Sequence, residues 1–375
     1  MTMRDVAKPT GFDRPIIPDT EVAYVPDNNI KVPRKPKGHL VVNTAYRDLC
    51  EIGYELAKGF QEYTDDWGYW MTVVGSTWLA ERDWWTLPLP GHRGHKAALV
   101  VLEHLLEMAD VAHINNYHSY QWITDALVGH KVVIHHHDFA LRTRLGWHEQ
   151  HEREAGYTRL VSTPDLLMFQ DQDDPSLTWL PSPINLRELD RNYPRWERKP
   201  RDKRIHLIHA YTVAGNKGTE QFASIAKDAH PKIRLHTIHG VQRRVSWYYL
   251  GMADIYFATY LYGPGLATIE AMAMGIPALV GCAMPENPLG HSDSVEWQMQ
   301  AVGVEKVEDL PWIYVTPETT EQWLKDLAGD KKLRKHWGDK GRKYVEQWHD
   351  VPMVVRRLKA IYEAAEPCQR IVSGP

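Results

Sequence analysis

Three groups of residues in this chain have the types and spacing to act on a charged, hydroxyl-bearing ligand. In "LYGPGLATIEAMAMGIPALVG", residues 261–281, a glycine-rich turn runs into an apolar helix that carries one acid, Glu270. Gly263 and Gly265 allow backbone N–H groups to approach a ligand closely. A carboxylate one to two turns into the helix can accept two hydrogen bonds from vicinal hydroxyls, such as those of a ribose. In "NKGTEQF", Lys217 and Gly218 follow an apolar run and open a helix. A helix start offers unsatisfied N–H groups and a positive dipole end, which suits phosphate, and a lysine adds a point charge. On local pattern alone, a solvated turn lysine and a solvent-facing helical glutamate compete with these roles. In "HKVVIHHHD", His135, His136, His137 and Asp138 close a strand. Adjacent strand residues point to opposite faces, so the three histidines do not form a metal triad. For His135 and His136 the plain reading holds: a strand end with one buried and two exposed histidines.

Such residues need strands that end where helices begin, and the chain alternates accordingly. "HLVVNTAYRDLCEIGYELAKGFQEY", "GYWMTVVGS", "DVAHINNY", "HKVVIHHHD", "TRLVSTPDLLMF" and "LTWLPSPIN" give a first series of strands and helices. A second series starts at "IHLIHAYTVAGNKGTEQFASIAKDAH" and continues through "IRLHTIHG", "ADIYFAT", the glycine turn and "WIYVT". The chain closes with helices around "TEQWLKDLAG", "LRKHWGDKGRKYVEQW" and "VPMVVRRLKAIYEAA". Alternating βα units imply mostly parallel sheets with helices on both faces. A chain of 375 residues exceeds one ordinary core and fits two domains. Residues 1–37 read as an irregular arm rich in Pro and charge. Residues 38–190 read as a first doubly wound domain and 200–345 as a second. The charged "LRELDRNYPRWERKPRDKR" is the linker candidate between them. Ligands in such sheets bind beyond the C-terminal strand ends.

Bulk composition excludes several classes. Charged residues are 25% and apolar ones 43%, ordinary for a globular protein, and the net charge of -4 gives no global attraction to nucleic acid or anionic lipid. The three cysteines, Cys50, Cys282 and Cys368, are too far apart in sequence to suggest a disulfide framework or a zinc site, which fits a reducing cytoplasm. The charged, proline-bearing N-terminus lacks the apolar centre of a signal peptide. No run approaches the ~20 apolar residues of a spanning helix. Trp67, Trp70, Trp78, Trp84 and Trp85 cluster early; exposed, they could stack sugars or bases, and buried, they anchor a core.

The order of these motifs resembles the GT-B glycosyltransferases, specifically the retaining group called glycosyltransferase family 4. That family's "E-G-F-G-L-x-x-x-E-A-M-A-x-G-x-P-V" is similar to "Y-G-P-G-L-A-T-I-E-A-M-A-M-G-I-P-A" here. "SWYYLGMADIYFAT", the "KG" turn, "ADVAHINNYHSYQWITDALVGHKVVIHHHD", "LVSTPDLLMF" and "WLPSPIN" resemble family segments in the family's order, over roughly residues 38–366. The resemblance implies two Rossmann-like lobes facing a cleft, with a last helix, 346–366, crossing back to the first lobe.

Residue by residue, the resemblance implies that Glu270 holds a nucleotide ribose and Lys217, with Gly218, contacts the diphosphate. Gly263, Gly265 and Leu266 would present backbone amides to the sugar or phosphate. His137 would sit near the reacting sugar, with Asp138 orienting its loop, and Arg142 and Arg144 would lie on the acceptor side. Tyr262 stands where the family has its first motif glutamate; it cannot carry a negative charge at neutral pH, but its hydroxyl can bond a sugar. The family's diphosphate arginine falls near Tyr211, so Arg243 or Arg244, after "HTIHG", is a candidate substitute, with a surface helix start as the plainer alternative. The implied activity is transfer of a hexose from a UDP- or GDP-type nucleotide sugar to an acceptor hydroxyl, with retention and without metal or other cofactor. The acceptor stays open between a glycan, a small molecule and a hydroxylated DNA base. A non-catalytic nucleotide-sugar-binding protein and another GT-B enzyme, such as an epimerase, are the competing readings.

Overall fold

The structure is a computed structural model that describes residues 22–25, 30–33, 38–45, 52–74, 85–87, 104–115, 127–137, 152–153, 155–169, 177–193, 202–211, 217–241, 243–282 and 295–368. β1 (Val22–Val25) and β2 (Ile30–Pro33) pair antiparallel, with Val22 opposite Pro33 and Val25 opposite Ile30. The N-terminal arm is therefore not wholly irregular. Val, Tyr and Ile favour extended pairing, and the one proline in the ladder sits at its end, where a missing N–H costs least.

Seven strands form the first sheet: β3 (His39–Ala45), β4 (Trp67–Val74), β5 (Trp85–Leu87), β6 (Val111–Asn115), β7 (Lys131–His136), β8 (Thr158–Val161) and β9 (Leu177–Trp179). Their order is β5-β4-β3-β6-β7-β8-β9 and every pairing is parallel. The second sheet contains β10 (Ile205–Ala210), β11 (Ile233–Ile238), β12 (Ile255–Phe257), β13 (Ala278–Val280) and β14 (Ile313–Tyr314), in the order β11-β10-β12-β13-β14, again parallel throughout. Strands such as "IHLIHA" and "VAHIN" are buried along their whole length, as expected where helices cover both faces. The fold is thus the doubly wound α/β pair that the alternation implies.

The α-helices named among the described residues are α1 (Ile52–Tyr63), α2 (Leu186–Asn192), α3 (Thr219–Ala229), α4 (Arg243–Leu250), α5 (Leu266–Ala273), α6 (Val295–Val302), α7 (Pro317–Gly329), α8 (Lys331–Trp348) and α9 (Val351–Ala364). The start of the linker candidate is helical. Asn185 caps α2 by accepting from the Glu188 amide at 2.9 Å, and Leu186 and Leu189, three apart on one face, are buried in the core of the second lobe with Ile208 and Trp247. High charge does not prevent this, because the charges of Glu188 and Asp190 project into ion pairs with Lys58 and Arg342.

The last helix completes the first lobe. Val351, Val354, Val355, Leu358 and Tyr362 of α9 share a core with Val41, Ile52, Leu56, Phe60, Trp67, Val111 and Val133. Each such side chain contributes roughly 1.5–3 kcal/mol when fully buried. Trp67 stacks on Tyr362 with centroids 5.7 Å apart, so this tryptophan belongs to the core. The side chains of Trp70, Trp78, Trp84 and Trp85 lie outside the described residues. Among the described residues, no helix is long and apolar enough to cross a membrane.

Several buried histidines make stability depend on pH. His349 Nδ1 donates to the Ser182 carbonyl at 2.9 Å, and burial pushes its pKa down to about 4. Burial likewise pushes His209 to about 4 and His113 to about 3. Unfolded histidine titrates near 6.5, so the unfolded chain takes up protons first. The stability tied to these neutral rings is fully present above pH ~6.5 and is lost as pH falls towards 4. Urea midpoints measured from pH 7.5 to 4.5 should therefore decline steadily below pH ~6.5, and a flat profile down to pH 5 would contradict this account.

Candidate functional site

Both sheets reverse their strand order at one point: between β3 and β6 in the first, and between β10 and β12 in the second. A crevice opens outside the carboxyl ends of strands at such a point, because neighbouring crossovers leave on opposite faces. Several residues singled out from sequence follow strands of the two sheets at their carboxyl ends. Lys217 and Gly218 follow β10, Tyr262 to Gly265 follow β12, and His137 follows β7.

Lys217 Nζ donates to the carbonyl of Ala210, the last residue of β10, at 3.3 Å. Gly218 caps α3 in a left-handed conformation, φ +69°, and a Cβ there would meet the Tyr260 ring at 2.7 Å. Glycine is required on both counts. Beneath this turn, His209 fixes the start of α3. Its Nδ1–H donates to the Phe257 carbonyl at 3.1 Å, so its Nε2 accepts from the Thr219 hydroxyl at 2.8 Å.

The glycine turn divides its work differently from the sequence expectation. Gly263 has φ +73° and its N–H donates to the Gly281 carbonyl at 3.0 Å, so that amide is engaged inside the lobe and does not face a ligand. A Cβ on Gly263 would collide with the Gln298 side-chain amide of α6, so the glycine makes room for Gln298. Gly265 remains suited to a ligand. It begins α5, a Cβ there meets nothing within 4 Å, and no side chain caps the helix. Its carbonyl accepts from Thr268 and Ile269, which leaves the first helical amides, those of Leu266 and Ala267, for an outside partner. The Leu266 side chain packs against the first lobe's core, so this helix start stands where the two lobes meet.

Glu270 lies one turn further on and is only 2% exposed. Its plainer reading, a solvated helical acid, is thereby excluded. Oε1 accepts from Arg243 Nε at 2.5 Å, and Arg243 Nη1 reaches Glu55 Oε1 of α1 at 3.3 Å. The three side chains are 6% exposed or less and form a buried ion cluster across the two lobes. The Arg243 guanidinium also lies 4.8 Å over the Trp247 ring. Arg244 pairs with Glu188 at 3.7 Å. Both arginines, the candidate substitutes for the diphosphate cation, thus pair with carboxylates in this structure, which removes the plainer alternative of a surface helix start for Arg243. Arg243 in turn orients the Glu270 carboxylate at the start of the cleft-facing helix.

Tyr262 packs on an apolar cluster of the first lobe, Val161, Leu166, Met168 and Leu177, together with Trp297. Its ring serves as inter-lobe packing, in the position given by sequence to a sugar-binding hydroxyl. Tyr211, at the end of β10, stacks on His239 with centroids 5.4 Å apart, an aromatic platform where a cation was expected.

The histidine run departs from expectation. His135 and His136 are both buried, at 0% and 2% exposure, and His137 is half-buried. His136 points to the opposite face and pairs with Glu152 at 3.0 Å. His137 Nε2 lies 2.6 Å from Asn115 Oδ1, whose Nδ2 donates to Asn43 Oδ1 at 2.5 Å. The His137 ring sits 4.0 Å from that of His135, and His135 Nδ1 lies 3.3 Å from His113 Nε2. His113 Nδ1 in turn meets the Tyr362 hydroxyl of α9 at 2.5 Å. Asp138, Arg142 and Arg144 lie outside the described residues.

Glu55, Asn43, Asn115, His113 and Gln298 were not found from sequence. Polar residues at alternate positions of apolar strands, as in "VAHIN", were a usable signal for His113 and Asn115. Glu55 and Gln298 carry no local signal.

No family model matches the chain, and no curated protein matches it in sequence. Solved structures do match in fold. A sucrose-phosphate synthase from Thermosynechococcus elongatus superposes with a TM-score of 0.60 at 13% identity, covering 87% of this chain and 98% of that one. HepE of Anabaena, in complex with UDP and glucose, gives 0.58 at 9% identity over 88% and 100% of the two chains. An alpha-glucosyltransferase in complex with UDP and a mismatched 13-mer DNA gives 0.58 at 13% identity over 86% and 99%. These likenesses show the fold, and the chain has the two-lobed GT-B architecture.

Proposed function

We propose that this chain is a nucleotide-sugar-dependent glycosyltransferase that moves a hexose to an acceptor hydroxyl, with retention and without a metal ion. The observation that carries the reading is the buried carboxylate of Glu270, one turn behind an uncapped helix start at the meeting of the lobes. Glu270 would accept from the ribose hydroxyls while the amides of Leu266 and Ala267 and the Lys217 ammonium hold the diphosphate. The acceptor oxygen attacks the anomeric carbon as the bond to the diphosphate oxygen breaks. The electron pair leaves with the diphosphate, and the acceptor's proton passes to a phosphate oxygen on the same face. Charge grows on the leaving group, where Lys217 and the helix start would stabilise it. His137 would face the sugar from the first lobe, and closure of the lobes would exclude water. The fold neighbours carrying UDP make UDP-glucose the first donor to try, and a cytoplasmic location agrees with the cysteine usage.

The test is incubation of the purified protein with UDP-, GDP- and ADP-sugars, with glycans, small alcohols and hydroxymethylated DNA as acceptors. Slow hydrolysis or transfer from one donor supports the reading. Stabilisation by a donor without turnover under any acceptor would favour a binding protein, and neither binding nor turnover defeats both. Lys217→Ala should lower kcat by about 10²–10³-fold, with a much smaller change in donor KM, since Lys217 acts on charge that develops in the transition state. Equal losses in both would assign it to ground-state binding.

A further inference from the structure

A column of aromatic rings runs from the core of the second lobe to its surface, at the carboxyl ends of β10 and β11. Phe222 of α3 and Phe257 of β12 stack in that core with centroids 3.6 Å apart. His209 of β10 lies against both, at 5.6 Å and 5.1 Å. Tyr211 stands 5.3 Å from His209, two residues further along the same extended run and so on the same face. His239, just past β11, stacks on Tyr211 at 5.4 Å with the ring planes 17° apart. Phe222, Phe257 and His209 are buried, Tyr211 is half-buried and His239 is exposed.

The support of the outer rings is fixed in place. His209 is held by the Phe257 carbonyl and the Thr219 hydroxyl. The Tyr211 N–H donates to the Ile238 carbonyl at 3.0 Å, which ties the ends of β10 and β11 together. Gly240, at φ +62°, then turns the chain directly after His239. A flat ring on a preset support loses little conformational freedom when a second ring settles on it. An ammonium lies close by, because Lys217 Nζ donates to the carbonyl of Ala210, the residue before Tyr211. An exposed ring beside a cation, at the strand ends where such sheets bind ligands, fits an anion that carries a flat aromatic group.

We propose that the Tyr211–His239 pair is a stacking platform for the donor's nucleobase and that it reads the face of the base. The proposal rests on the transferase reading for the ligand being a nucleotide, and on the aromatic column for how the base is held. Every base has a π-face, so a platform of this kind tolerates both purines and pyrimidines, and the larger purine gains more contact. ADP and GDP should therefore bind at least as tightly as UDP and CDP, with all four within about tenfold of one another.

Calorimetric titration of the four nucleoside diphosphates and of inorganic pyrophosphate tests this. His239→Ala should weaken each nucleoside diphosphate by about 5- to 100-fold and leave pyrophosphate unchanged. His239→Trp should restore the affinity, since it returns an aromatic face. In proton spectra the His239 ring signals, assigned with His239→Ala, should move upfield when ADP is added. Equal losses for pyrophosphate would make His239 a phosphate contact and overturn the proposal, as would a preference for one base of more than about 100-fold, which only edge contacts provide. If sugar is transferred while His239→Ala leaves every nucleotide affinity unchanged, the platform falls and the transferase reading stands. If the platform behaves as expected but no nucleotide sugar is turned over with any acceptor, the transferase reading fails and the platform stands. Absence of nucleotide binding at millimolar concentrations would overturn both.

Discussion

Glu270→Gln is expected to weaken nucleotide-sugar binding by about 10- to 100-fold while leaving the protein folded. A carboxylate accepting from two hydroxyls makes charge-assisted hydrogen bonds, each worth about 1.5–3 kcal/mol, and a neutral amide of the same shape retains only part of that. Calorimetric titration of UDP and its sugars reads the loss directly. Unchanged affinity would leave Glu270 with a purely structural role and remove the main support for the transferase assignment. Glu270→Ala is a poorer probe than its place on an apolar helix suggests from sequence. The side chain is buried against Arg243, so alanine removes a carboxylate that compensates that guanidinium. The variant should lose up to about 3 kcal/mol of stability as well as affinity, and urea unfolding separates the two effects.

Arg243→Ala should be the more damaging change for stability. Glu55 and Glu270 approach the same guanidinium from opposite lobes and are nearly inaccessible to water. Removing the cation leaves two carboxylates facing each other in a poorly solvated space, at a cost of about 3–5 kcal/mol. Urea midpoints for both proteins at pH 7.5 decide it. A small gap would mean that the cluster does not hold the lobes together. Arg243→Ala/Glu55→Gln should recover part of the loss, since it removes one of the opposed charges.

What was legible in sequence was local. The strand-turn-helix segments around Lys217 and Glu270 announce themselves because glycine, the apolar run and the helix lie within about twenty residues, and backbone geometry follows from that spacing. Alternation of apolar strands and amphipathic helices likewise gives two parallel sheets, and the strand order then places the chosen residues at the right ends. What could not be read depends on docking. Arg243 meets Glu55 across 188 positions of sequence, and Asn115 meets Asn43 across 72. A charged residue at a helix start looks the same whether it ends in solvent or between lobes. The linker misled for a related reason. Composition registers the charges of "LRELDRN" but not that two leucines three apart turn to one side. Gly263 shows the converse limit: its type was informative, but the partner that requires a glycine there, Gln298, lies on a helix with no distinguishing pattern.

The position of α9 bears on how the chain is made. The first lobe's strands leave the ribosome long before residue 351, yet the sheet face formed by Val41, Val111 and Val133 is covered partly by Val354, Leu358 and Tyr362. During synthesis of the entire second lobe that face stays incomplete, and His113 lacks the Tyr362 hydroxyl. Vectorial folding therefore cannot finish the first half before the second begins, and a nascent chain halted short of its last helix exposes the apolar surface that chaperones bind.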